Sequence, residues 1–140
     1  MSVLPLWRYY ADFAIFPIVA LTVIATHSID IWWLLFVPLG FAMFTFVEYW
    51  THRSLLHRFF WHGRHERHHL YPSEHVVFPL WYTPVIFAGF YLALPASVFV
   101  GFVCCYLWFM TLHHALHHWS LKGMTWLHRY AIWHNEHHVA

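Results

Sequence analysis

The sequence predicts an all-α fold: an integral membrane bundle of four transmembrane helices with a cytoplasmic histidine-rich helical cap, a single membrane domain over residues 1–140. Three observations lead there. Hydrophobic residues make up 61% of the chain and charged residues 9%, whereas a soluble domain carries about a quarter charged. Four apolar stretches approach the roughly 20 residues that a spanning helix needs. Fifteen of the sixteen histidines fall in two windows, residues 52–75 and 113–138.

The first span is expected at about 9–26, with Asp12 and Pro17 as interruptions. A signal peptide is its rival, since Arg8 precedes a hydrophobic core. Against that, Asp12 opens the core, no A-x-A pattern follows, and a second apolar stretch comes at once. That second span, 31–50, is broken only by Glu48 near its end. The third, 76–94, contains Pro79 and Pro84, expected to kink it and open a crevice. The fourth, 96–112, holds the adjacent Cys104 and Cys105, which cannot staple a fold and read as small membrane-buried residues.

Parity gives the topology. The turns near 26–30 and 94–95 share one side; the N-terminus and both histidine blocks, 52–75 and 113–138, share the other. All seven basic residues (Arg8, Arg53, Arg58, Arg64, Arg67, Lys122, Arg129) fall on that second side, which the positive-inside rule makes cytoplasmic. The layout is a weak twofold repeat, a hairpin of spans followed by a histidine block. The net charge of +1 excludes nucleic acid as a partner, because no basic surplus exists to neutralise phosphates.

His65-Glu66-Arg67-His68-His69 and His134-Asn135-Glu136-His137-His138 are two copies of H-x-x-H-H. On helices, residues three and four apart share a face, so each copy turns two or three imidazoles toward one point. Buried imidazoles without partners would each cost about 1–3 kcal/mol. Metal coordination uses those lone pairs, and roughly eight to ten histidines suit two ions better than one. No cysteine pair favours a structural zinc, and the nearby carboxylates are Glu48, Glu66, Glu74 and Glu136. Imidazole suits iron, zinc, copper and nickel alike; the surplus of ligands puts iron ahead, with zinc as a substitute. Glu48, four residues before His52, is placed to accept a spare ring N–H. His113/His117 and His114/His118 are two i, i+4 pairs turned about 100° apart, so one pair can point squarely into a shared site. His27, His62, His75 and His128 read as interface anchors.

The stretch from Glu48 to His57 resembles E-Y-x-x-H-R-x-x-x-H, the opening motif of the fatty acid hydroxylase/sterol desaturase superfamily. His65 to His69 resembles its second box, Leu112 to His118 its L-H-Y-x-x-H-H element, and His134 to His138 its final H-x-x-H-H. The order matches over residues 48–138. The gap from His57 to His65 is short, as in small bacterial members and carotenoid hydroxylases. The sequence ends before the N-F/Y-G turn and W-D-x-x-F-G-T-like segment with which members usually continue.

The resemblance implies ten metal ligands, His52, His57, His65, His68, His69, His113, His117, His134, His137 and His138, holding two iron ions. Glu48 and His118 stand beside them as supporting residues. It implies a membrane di-iron oxygenase that hydroxylates a lipid C–H bond, a fatty acyl chain first, with dioxygen. The alternatives are a desaturase, a carotenoid or sterol hydroxylase, or a non-catalytic membrane metal-binding protein. No cytochrome-like or flavin-binding segment is visible, so electrons are expected from a separate donor: a cytochrome b5-like protein, a ferredoxin or a reductase. Trp81, Tyr82, Phe87, Phe90, Tyr91, Trp108 and Phe109 are possible groove residues, although ordinary lipid-facing bulk accounts for most of them. His62, His75, His114, His118 and His128 are expected to be substitutable at lower cost. Because ligation needs neutral imidazole, activity is expected to collapse below about pH 6.

Overall fold

A computed structural model describes residues 4–59 and 62–139. All regular elements among them are helical: α1 (Trp7–Thr26), α2 (Ile31–Trp50) running into a π turn (Thr51–Leu56), α3 (His62–Leu70), α4 (Tyr82–Ala93), α5 (Ala96–His118) and α6 (Thr125–Val139). Three helical segments, Trp7–Thr26, Ile31–Leu56 and Ala96–His118, are long and apolar enough to cross a membrane. Their outward faces agree with that setting. Leu34, Leu35 and Phe46 of α2 are each 60% or more exposed, a density of bare apolar surface that water would not tolerate.

The expected span at 76–94 is corrected. Helix begins there at Tyr82, and α4 has 12 residues, a length of about 18 Å against a hydrocarbon core of about 30 Å. Proline is the physical reason. Pro79 offers no N–H and disfavours helix at Phe78, whereas Pro84 sits within the first turn of α4, where its missing N–H costs nothing. Instead of kinking a long span, the two prolines delay and start a short one.

Helix α5 is the axis of the bundle, with every residue from 97 to 103 buried. Phe16 of α1, Phe44 of α2 and Phe87 of α4 close on Phe99, Phe102, Val103 and Tyr106 of α5. The rings interlock: Phe16–Phe87 and Phe90–Phe102 centroids stand 4.4 Å apart, and Phe44–Phe102 5.0 Å. Asp12, the polar interruption of α1, accepts a hydrogen bond from the Tyr106 hydroxyl. The Asp30 side chain caps α2 by accepting from Trp32 N at 3.0 Å.

Two glycines set the spacing between α2 and α5. A Cβ on Gly40 would lie 1.9 Å from Val98 O, and one on Gly101 would lie 1.9 Å from Val37 O. Backbone therefore meets backbone at this crossing, the close approach that small residues permit between membrane helices. Gly89 of α4 has nothing within 4 Å of its would-be Cβ. Gly40→Val or Gly101→Val should force the helices apart and cost about 3 kcal/mol or more. Gly89→Val should be tolerated; comparing heat-induced loss of helicity in detergent tests the contrast, and equal melting of all three variants would refute the crossing.

Candidate metal centre

The C-terminal ends of α2 and α5 deliver the first histidines. His52 and His57 are five residues apart, which on an α-helix would turn them about 140° away from each other. The π turn removes that offset: His57 N donates to His52 O at 3.3 Å, an i→i+5 bond that winds the chain wider. Their ring centroids come to 5.2 Å. The turn was not foreseen, although a five-residue spacing between two side chains that both need one face was its signal.

The two H-x-x-H-H boxes, on α3 and α6, do not each make one group. They exchange members. His65 and His69 of α3 join His52, His57 and His137, while His134 and His138 of α6 join His117 and His68. Each box thus sends its i, i+4 pair to one group and its i+3 histidine to the other, as helical pitch dictates. Within each group one nitrogen per ring lies within 4.8 Å of all the others, an arrangement that could hold a metal ion. In the first group His52 Nε2 lies 2.8 Å from His137 Nε2, and His65 Nε2 lies 3.2 Å from His57 Nε2 and 3.0 Å from His69 Nε2. In the second, His134 Nε2 lies 2.7 Å from His117 Nε2 and 3.0 Å from His138 Nε2. The groups adjoin, with the His69 and His138 rings stacked at 4.5 Å.

Hydrogen bonding does not account well for this crowding. A neutral Nε2 carries one proton or one lone pair, and neither serves two neighbours well, as His65 and His134 would require. A cation at each convergence takes all the lone pairs at once. The outer nitrogens are held accordingly. His68 Nδ1 lies 2.9 Å from Glu74 O, so its N–H donates outward, and its buried Nε2 has no hydrogen-bond partner. His52 Nδ1 stands 3.4 Å from Glu48 Oε1, the relation anticipated for Glu48. Arg67 pairs with the Glu74 carboxylate through two donors, tying down the loop whose carbonyl orients His68. This is the outer support that metal-binding imidazoles commonly receive.

Burial, aided by neighbouring imidazoles, pushes His65 down to about 2, His134 to about 3, and His69 and His137 to about 4. Burial takes His68 to about 4, against the opposing pull of the Glu74 carbonyl. These rings are neutral at pH 7 and still neutral at pH 5, so a collapse of ligation below pH 6 does not follow from them.

Nine of the ten expected ligands fall in the two groups. His113 packs beside the second, its centroid 4.8 Å from His117 and 5.0 Å from His68, without joining the convergence. His118, expected as a supporting residue, instead gathers with His75 and His114 in a third group. His62 and His128 are exposed and belong to none of the three groups.

A cavity of about 190 Å³ borders the centre, its lining including His52, His65, His68, His113 and His117 together with Val76, Phe78, Tyr82, Phe109 and Met110, and the charged Arg8, Asp12 and Glu74. Of the aromatics considered for a groove, Tyr82 and Phe109 reach it. Phe87 and Phe90 serve the core, and Trp81, Tyr91 and Trp108 are exposed. Comparison with protein-family models, curated proteins and solved structures returns no match.

Two outcomes are expected. Alanine at His65, His68, His134 or His137 should each remove about one metal ion per chain by elemental analysis, and Glu48→Gln should weaken binding about 10- to 100-fold. His62→Ala and His128→Ala should bind as the parent does. For pH, the folded histidines sit below the ordinary value near 6.5, so the unfolded chain binds more protons as pH falls through that value. The metal-free protein should therefore melt lower at pH 5 than at pH 7, while metal is retained at pH 5. A flat melting profile over that interval would contradict the buried neutral state.

Proposed function

We propose that the chain is a membrane dimetal oxygenase that hydroxylates a C–H bond of a lipid, a fatty acyl chain foremost. One observation carries the reading: two adjoining groups of converging imidazole nitrogens border an apolar cavity between helices long enough to span a membrane. A nearly all-nitrogen donor set suits two iron ions, with zinc able to take the same places. His52, His57, His65, His69 and His137 would hold one ion. His68, His117, His134 and His138 would hold the other, with His113 against them.

Bound iron supplies the activation of dioxygen and the attack on an unactivated C–H bond. One oxygen atom enters the substrate and the other leaves as water, with two electrons and two protons supplied. The protein's own part is positional. The apolar wall of the cavity excludes water and receives an alkyl chain, while Glu48 and the Glu74 carbonyl keep the ring nitrogens of His52 and His68 aimed inward. Electrons come from a separate donor protein on the cytoplasmic side, where the basic residues gather. Hydrogen abstraction without oxygen insertion would make the same site a desaturase, and a sterol or carotenoid could replace the acyl chain. The donor set itself, equally good for zinc, favours one rival: a membrane metal-binding protein without redox chemistry.

Lipid mass spectrometry of membranes expressing the chain, with and without oxygen, tests this. A new species 16 mass units heavier, dependent on oxygen and lost in His68→Ala, is the expected result. A shift of −2 would assign desaturation. No oxygen-dependent product from iron-loaded protein with a competent electron donor would overturn the oxygenase reading and leave the metal-binding one.

A further inference from the structure

Three of the histidines that neither group uses, His75, His114 and His118, are themselves assembled. His114 and His118 lie one turn apart on α5, on the face turned away from His113 and His117, and His75 meets them from the loop after α3. One ring nitrogen of each lies within 4.8 Å of the other two. His75 and His118 stack at 4.3 Å with planes 6° apart, and His114 stands 4.6 Å from His118. His75 Nε2 is buried without a hydrogen-bond partner. The Tyr9 hydroxyl is 3.3 Å from His114 Nδ1, and the Tyr9 ring meets that of His75 edge-on at 4.5 Å.

We propose that His75, His114 and His118 form a third metal site, a three-imidazole tripod for a borderline divalent cation such as zinc, cobalt(II) or nickel(II). With no carboxylate or thiolate among the three, the donor set disfavours magnesium and calcium. The Tyr9 hydroxyl oxygen, 3.3 Å from His114 Nδ1, is placed to accept an Nδ1–H in the tautomer whose Nε2 would serve as the ligand. Three protein ligands leave a position open for water or an anionic oxygen. His118 is exposed, so the ion exchanges with solvent more readily than ions in the two enclosed groups. His75, His114 and His118 also line the cavity described above, so an ion there borders the same space. The site is separate from the second group, the His117 and His118 rings being 6.2 Å apart. It does not depend on the oxygenase reading.

Cobalt(II) titration of the full chain in detergent, read by visible absorption and elemental analysis, tests the tripod. The parent should bind one cobalt more per chain than His75→Ala or His118→Ala, and that ion should be the first removed by chelator. His65→Ala and His134→Ala should keep it. Equal stoichiometry and unchanged spectra in parent, His75→Ala and His118→Ala would overturn the proposal. Should those variants fail to fold, the parent still decides. Zinc added to protein already filled at its tight sites should shield His75 and His118 from diethyl pyrocarbonate, and unaltered modification would equally overturn it.

Discussion

The close crossing of α2 and α5 governs everything that follows in the chain. With glycine at 40 and 101, the two backbones touch, and a single added methyl on either would strike a carbonyl 1.9 Å away. Because α2 and α5 both run on from that point toward the histidines, the contact limits how far apart their C-terminal ends emerge. His52 and His57 leave one end, His113 and His117 the other. The aromatic core from Phe16 to Tyr106 fills the space around this crossing and fixes α1 and α4 against the same axis. Chemistry at the top of the bundle is therefore set by van der Waals contact in its middle.

Polar groups follow the same economy. Asp12 would be costly inside an apolar span, and Tyr106 meets it with a hydroxyl. The imidazoles are crowded until their repulsions are large, and burial answers by keeping them uncharged. Such a set is poor at stabilising a fold by itself and well suited to receiving a cation. The surface ion pair Arg67–Glu74 contributes little energy at its exposure; its value lies in fixing the carbonyl that turns His68 inward.

The sequence was most readable where periodicity is strict. The face-sharing of the i, i+4 pairs within H-x-x-H-H follows from 3.6 residues per turn, and the structure keeps it; of the four spans expected from apolar run length, three helices are long and apolar enough to cross a membrane. It was least readable where local geometry departs from that period. The π turn at Thr51–Leu56 winds differently from an α-helix and bears no residue that marks it. Hydropathy alone could not distinguish the non-helical stretch before Tyr82 from helix, since both are apolar. The prolines between them predict a kink in a long span, whereas in the structure α4 begins only at Tyr82. His75 looked like an anchor because its partners lie about forty residues on, at His114 and His118, and only tertiary contact joins them. For His113, the choice between two i, i+4 pairs was posed correctly by pitch, yet which of its neighbours truly converge was beyond spacing.

The exchange between the two boxes has a consequence for how the halves of the chain cohere. Helix α6 has one buried apolar side chain among its described residues, Leu127, so apolar contact gives it little hold on the bundle. Its His137 belongs with residues of the first half, and α3 lends His68 to residues of the second. An ion bound in either group would consequently clasp N-terminal and C-terminal segments together, and two ions would resist rotation as well as separation. Metal loading would then couple the last helix to the bundle through ligands rather than through apolar contact.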